Sequence, residues 1–336
     1  MDFDNIMREI TAGLTDDPKQ NMIYLREQSE KYKDHEMATE ILRAIGRLMY
    51  SQIPQDKLEE FEKMLDKDKA GIKATLDEVD FNIYKKNYEK ALALLDPLIE
   101  SSKVMFRDDR MSEYHSFDEP FEETLYHYLE RPEKDMRPAS IPYSHLYLRR
   151  ASILYELGRH EEAVESCEAA LKWNPVCASA YFEMTENKKQ LGDMDSYLKL
   201  TLDMFKRAFR PQDLAHCYRN LAFWFVEQEM YMEAIGCLFC SLEYEKSQVA
   251  QSELFYIQAK TGEELRYPSL EEFQQTAEKY GFPIGPDEDV LNLAYSLGVH
   301  CMKKKQYDEA RYFLTIVQKL IDSEDVENLL KQIPEA

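Results

Sequence analysis

Glycine is scarce in this chain of 336 residues, which has only 10, and tryptophan is scarcer, with 2. So few glycines argue against the turn-rich strands of a sandwich or barrel and favour long helices. Positive charge is also in deficit: 42 Lys and Arg stand against 64 Asp and Glu, a formal net charge of -22. A field of that sign repels phosphate backbones and anionic headgroups, so neither nucleic acid nor a membrane surface is expected as a partner. The acidic residues are read first as the solvated outer faces of helices, and second as the means of selecting a basic partner. No apolar run approaches the roughly 20 residues that span a bilayer. The acidic start Met1-Asp2-Phe3-Asp4 is followed by no apolar export segment, so the expected compartment is the cytoplasm. Six cysteines, Cys167, Cys177, Cys217, Cys237, Cys240 and Cys301, fall inside predicted helices rather than at loop spacings that staple a small secreted fold. They are expected to be reduced and mostly buried.

Catalytic motifs are missing as well. There is no Gly-rich phosphate loop, and the seven histidines lack the helical i, i+4 pairing of a zinc-binding HExxH site. Cys237-Leu238-Phe239-Cys240 has CxxC spacing, but it lies inside a predicted helix with no second pair to complete a metal site, so packing is the preferred reading. Asp108-Asp109 and the pair Asp287 and Asp289 have no nucleophile beside them and read as surface charge. His216-Cys217 and His300-Cys301 are sequence neighbours, which point in different directions on a helix. The chain is expected to be no enzyme and to need no cofactor or metal.

What the sequence does have is a repeat. In a 34-residue window starting at Ser144, Tyr147 falls at position 4, Ala151 at 8, Leu154 at 11, Gly158 at 15, Ala163 at 20, Cys167 at 24, Ala170 at 27 and Pro175 at 32. Small Ala151 and Ala163 let two antiparallel helices approach, Gly158 turns the chain between them, and Pro175 ends the second. This pattern resembles a tetratricopeptide repeat (TPR), with Arg150 a departure at position 7. Weaker copies follow. Residues 178–211 keep Tyr181, Met184, Gly192 and Met204 but place Tyr197 at the small position 20, which predicts splayed helices. From Ala215 come Tyr218, Leu221, Ala222, Phe225, Ala234 and Leu238, with Glu229 replacing the turn glycine. Near the end, Leu297, Gly298, Cys301, Tyr307, Ala310, Leu314 and Val317 form another copy, and Tyr88, Ala91, Leu95 and Leu98 match a second helix upstream. Between them, a helix ending near Thr261-Gly262 and a capping box at Ser269-Leu270-Glu271-Glu272, closed by Gly281, read as a stretched repeat.

The expected fold class is therefore all-α: a right-handed α-α superhelix, a TPR-like solenoid of antiparallel helix pairs, over residues 71–324. Residues 1–70 read as a diverged cap or a small separate bundle, with Met22, Leu25, Ala38, Leu42 and Ile45 at helical spacing and a charged helix from Pro54 to Leu65. Residues 325–336 read as a helical end. An insertion at 101–143 is rich in rings and prolines. In it, Asp118 to Glu130 reads as a helix capped by Asp118, with Phe121, Leu125 and Tyr128 along one side. Its rings either plug an irregular joint or wall part of a groove.

The resemblance implies that positions 2, 5, 9 and 12 of the first helices line a concave face. Those positions, with Asn220 beside them, give Phe182, Glu186, Lys189, His216, Arg219, Asn220, Phe223 and Tyr295 as candidate peptide-binding residues, among neighbours that include His145, Leu148, Ser152 and Tyr155. Some family members hold a carboxylate in a Lys, Asn and Arg clamp. Here Leu148, Ser152, Glu183, His216 and Asn220 occupy the matching positions, so that clamp is absent. The expected function is a non-catalytic adaptor binding a peptide or protein segment. Two alternatives stand beside it: a peptide-responsive regulator whose N-terminal bundle is the effector, and an enzyme with a site near Tyr126 and His127 of the insertion.

Overall fold

The computed structural model describes residues 2–53, 71–103 and 106–334, so the helix expected from Pro54 to Leu65 lies outside the described residues. The chain divides into two compact units: Met1–His115 with Pro132–Ala139, and Ser116–Arg131 with Ser140–Ala336. Residues 71–103, expected to open the solenoid, fall in the first unit.

In the first unit, α1 (Phe3–Ala12), α2 (Pro18–Tyr32) and α3 (Ala38–Ser51) bury Ile6, Ile10, Leu25, Tyr32, Ile41 and Ile45 in one core. Asp2 and Asp17 cap α1 and α2, each accepting a backbone N–H at 2.9 Å, so one orphan donor of each helix start is met. Buried Asn21 donates to the Thr15 carbonyl and to Gln52, both at 2.7 Å, and accepts from the Thr15 N–H at 2.8 Å, which ties the first turn to the end of α3. Residues 71–84 (α4) and α5 (Tyr88–Lys103) follow, burying Val79, Ala91, Leu92, Leu95 and Ile99. Two four-residue strands, β1 (Ser112–His115) and β2 (Asp135–Pro138), pair in parallel with Ser112 opposite Asp135. The sequence reading did not anticipate them.

The second unit starts with α6 (Pro120–Glu130) and continues through α7 (Tyr143–Glu156), α8 (His160–Trp173), α9 (Ala178–Gln190), α10 (Met194–Phe205), α11 (Pro211–Glu227) and α12 (Tyr231–Tyr244). It ends with α13 (Gln248–Thr261), α14 (Leu270–Tyr280), α15 (Glu288–Lys303), α16 (Tyr307–Leu320) and α17 (Glu324–Lys331). Helices α7 to α12 pack pairwise and each pair rests on the next, as a repeat unit that cannot bury its face alone requires. The expectation of an all-α, TPR-like repeat fold holds.

Why these pairs form is visible at their turns. Gly158, Gly192, Glu229 and Lys305 all have φ between 58° and 72°, and each sits five residues before the side chain at position 20: Ala163, Tyr197, Ala234 and Ala310. In the first unit Lys86, with φ 57°, stands in the same relation to Ala91. The left-handed residue is thus a property of the repeat even where no glycine supplies it. Tyr197 is only 1% exposed and its ring meets Phe223 of the following repeat at 5.6 Å, so the large side chain at position 20 is accommodated as an inter-repeat contact. Close approach explains Gly298: a Cβ there would lie 2.7 Å from the Leu314 side chain on the paired helix α16.

The insertion helix is capped by Glu119 rather than Asp118. Pro120 occupies the first helical turn, which makes the residue before it the cap. The Glu122 carboxylate reaches back to the N–H groups of Asp118 at 2.7 Å and Glu119 at 3.2 Å. Phe121 and Leu125 are fully buried, whereas Tyr128 is exposed. Phe121 meets Phe209 edge-on at 5.1 Å and Phe313 at 6.2 Å, so this helix plugs a joint between the α10–α11 loop and α16.

Candidate functional site

Positions 4, 8 and 11 turn inward in α7, α11 and α15, and positions 4 and 8 in α9, where Lys188 at position 11 pairs with Asp193 instead. Tyr147, Ala151 and Leu154 of α7 are buried, as are Tyr218, Ala222 and Phe225 of α11 and Ala294, Gly298 and Cys301 of α15. Helical geometry then sends positions 2, 5, 9 and 12 toward the other side of the first helix, although the long Arg219 side chain at position 5 of α11 turns back to the end of α12. In α13 the buried set is Ala250, Leu254 and Ile257, which has the same spacing and starts that repeat at Ser247. Gln248, Gln251, Phe255 and Gln258 therefore join the face, and the Phe255 ring is 69% exposed. The sequence reading left this helix without a register; the 0, 4, 7 spacing of its buried residues is the signal that places it.

Five of the eight candidate residues come together on α9 and α11. The Phe182 ring stacks on the His216 imidazole, centroids 3.8 Å apart and 12° from parallel. The Lys189 ammonium lies 3.9 Å above the Phe223 ring, a cation–π contact, and reaches Glu186 at 3.9 Å. Arg219 sits on the same helix but is engaged, donating to Glu245 at 2.8 Å and to Ser241 at 3.3 Å. Asn220 lies off the surface: it is 4% exposed and donates its amide to Thr185 at 3.2 Å, which joins α9 to α11. Tyr295 is 39% exposed on α15, beyond the α13–α14 pair in the chain.

The electrostatics of this face are set by burial. Burial first, and then the Arg219 charge, lower the His216 pKa to about 4, so its stack with Phe182 is a contact between two neutral rings at neutral pH. Glu183 is raised by burial and then by the like charge of Glu186, with Glu156 adding to it. The platform is an apolar strip with an acidic flank on α9.

Nothing on this face has the form of an acid–base or nucleophilic pair. The CxxC thiols are governed by burial: Cys237 is raised well above its ordinary value and Cys240 to about 12, the opposite of an activated thiolate. Among the described residues no group of three His, Cys, Asp or Glu side chains could hold a metal ion, and no helix is long and apolar enough to cross a membrane.

Residues 144–177 match the family model for the tetratricopeptide repeat. This is a TPR-like helical-repeat protein. No curated protein matches the chain. Among solved structures, the TPR-like chain is similar to a thermophilic TPR protein of Thermus thermophilus, at 18% identity and a TM-score of 0.30, over 56% of this chain and 98% of that one. It is also similar to the Cut9–Hcn1 hetero-tetramer of the APC/C, at 13% identity and a TM-score of 0.33, over 95% of this chain and 67% of that one. Human IFIT1, solved as a dimer with m7Gppp-AAAA, aligns at 15% identity and a TM-score of 0.29, over 94% and 77% of the two chains. At such identities nothing these proteins bind or assemble with transfers to this chain.

Proposed function

We propose that the protein is a non-catalytic adaptor that holds a peptide or protein segment against the first-helix face of its second unit. TPR repeats in general mediate protein–protein interaction, and the observation that carries the finer reading is the α9–α11 platform. There, stacked Phe182 and His216 and the Lys189–Phe223 pair present half-exposed rings whose charged neighbours sit at the rim. Rings of this kind are the anchors that dominate interface energetics, and they lose little side-chain entropy on contact. Phe255 and Tyr295 extend the same face along the repeats, and Gln251 and Gln258 offer amides that both donate to and accept from an extended backbone.

The experiment is a selection of peptides from a random display library on the full chain, repeated with Phe223→Ala and Phe255→Ala combined. Peptides that saturate the wild type and fail on the folded variant support the reading. Peptides that bind both equally would move the site off this face.

A second reading is favoured by one observation. The N-terminal helices close their own core around Ile6, Leu25, Ile41 and Ile45, as an effector bundle answering to a ligand elsewhere in the chain would need to. It requires hydrogen exchange in α1 to α3 to change when a selected peptide is added, and unchanged exchange there would remove it.

A further inference from the structure

A cleft of about 550 Å³ opens in the second unit between the start of α6, the loop into α11 and one face of α16. It belongs to a second helix and not to the first-helix face, so nothing said of it rests on the adaptor reading. Arg311, Thr315 and Lys319 line it at i, i+4 and i+8, one face of a helix along which the two cationic residues are separated by a rise of about 12 Å. Between them the half-buried Tyr312 ring supplies the accessible apolar surface, over the buried Phe209 and Ile316.

The cations of this cleft are of two kinds. Arg210 is consumed: its guanidinium lies 3.6 Å from Glu119, 3.4 Å from Glu122 and 3.4 Å from Asp213. Arg311 and Lys319 are exposed, and among the described residues neither has a carboxylate within ion-pair distance; Arg311 gives one nitrogen to the Pro334 carbonyl at 3.1 Å. In a chain with 64 acidic side chains against 42 basic ones, two cations without a carboxylate partner among the described residues leave this cleft open to a negatively charged ligand. The two carboxylates of the lining do not neutralise Arg311 and Lys319. Glu119 accepts from the Tyr312 hydroxyl at 2.8 Å and faces Arg210, and Asp308 lies one turn before Arg311, toward the start of α16.

We propose that this cleft binds an extended acidic peptide, with one carboxylate on Arg311, a second four residues away on Lys319, and an apolar side chain between them on the Tyr312 ring. The spacing follows from geometry. An extended chain rises about 3.3 Å per residue, so residues i and i+4 point the same way about 13 Å apart and match the rise between Arg311 and Lys319 on the helix, whereas i and i+2 fall short at about 7 Å. The residue at i+2 faces the same side and meets the Tyr312 ring. Arg311 offers the carboxylate a planar fork and Lys319 a point charge. The net charge of -22 repels such a peptide at a distance, so selection acts at contact range, inside the ionic-strength screening length of roughly 8–10 Å.

The test is fluorescence anisotropy of the full chain with a labelled peptide, Gly-Glu-Ser-Leu-Ser-Glu-Gly. The controls are the same composition with the two Glu brought two residues apart, and a third peptide with Gln in both places. The expected result is saturable binding of the first peptide, at least about tenfold weaker binding of the second, and loss of binding with the third. Arg311→Gln with Lys319→Gln should abolish the signal, and Arg311→Lys should restore part of it by returning the charge without the fork. Both side chains are exposed, and an unchanged melting temperature of each variant keeps a folding defect from imitating the loss. Equal binding of the two spacings, binding kept by the double variant, or no saturable binding of the first peptide would overturn the proposal.

Discussion

The α9–α11 face and the α6 joint are built from the same kinds of residue and use them in opposite ways. At the joint, the rings of Phe121, Phe209 and Phe313 are sealed in, and the charges of Glu122 and Asp213 are sealed in with them around Arg210. On the face, the rings of Phe182 and Phe223 stay half-exposed, and Glu186 and Lys189 remain at the rim. The difference teaches that aromatic content alone does not mark a binding surface. What separates these two regions is whether the helix register turns the rings toward solvent or toward the neighbouring repeat.

Breaking the joint should cost the most. Phe121→Ala removes a fully buried ring between two others and should lower unfolding stability by about 3–5 kcal/mol, measured by denaturant titration. A loss below about 1 kcal/mol would mean that α6 is not part of the second unit's core.

The next effect separates two groups three residues apart on α11. Burial raises the folded-state pKa of Asp213 to about 6, against an ordinary value of 3.8. Its contribution is therefore complete below about pH 4 and is lost as pH rises through 6. His216 is lowered to about 4 from 6.5, so its contribution is present above 6.5 and is lost as pH falls through 4. Between about pH 4 and 6 the two slopes oppose each other. Asp213→Asn should remove a loss on the order of 2–3 kcal/mol between pH 4 and pH 7.5, while His216→Gln should remove the acid-side loss. Identical pH profiles for wild type and both variants would contradict this assignment.

A smaller effect belongs to the turns. Glu229→Gly and Lys305→Gly relieve a side chain held at φ near 60° and should each stabilise by about 0.5–1 kcal/mol, read as a rise in melting temperature. Destabilisation would show that the turn is held by side-chain contacts instead. The smallest effect on stability falls on the face, where Phe255→Ala should change unfolding by no more than about 0.5 kcal/mol while weakening peptide capture.

The architecture was largely legible because the small residues Ala151, Ala163, Ala234 and Ala310 and the turn Gly158 state their packing role in their size. Glu229 and Lys305 hid the same turn, since a residue with a side chain gives no sequence signal of a positive φ. The β1–β2 pair was not legible either: Ser-Glu-Tyr-His and Asp-Met-Arg-Pro contain no β-branched residue, and α6 separates them in sequence. Asp118 looked like the better cap by residue type, and the proline at 120 overruled it. Of the candidate residues, Phe182, His216, Lys189, Glu186 and Phe223 share a face by register, and the structure shows contacts among them. Asn220 sits at position 6 and so points between helices, and Phe255 was missed because Ala250 stands at position 4 of its helix, where α7, α9 and α11 carry a tyrosine.

The most direct test of the central claim measures a peptide selected on the wild type against two variants side by side, Phe223→Ala with Phe255→Ala on the face and Tyr128→Ala on the exposed side of α6. The account predicts that the face variant loses at least about tenfold in affinity at an unchanged fold while the α6 variant binds as the wild type does. Full affinity in the face variant, or loss in the α6 variant alone, would contradict it.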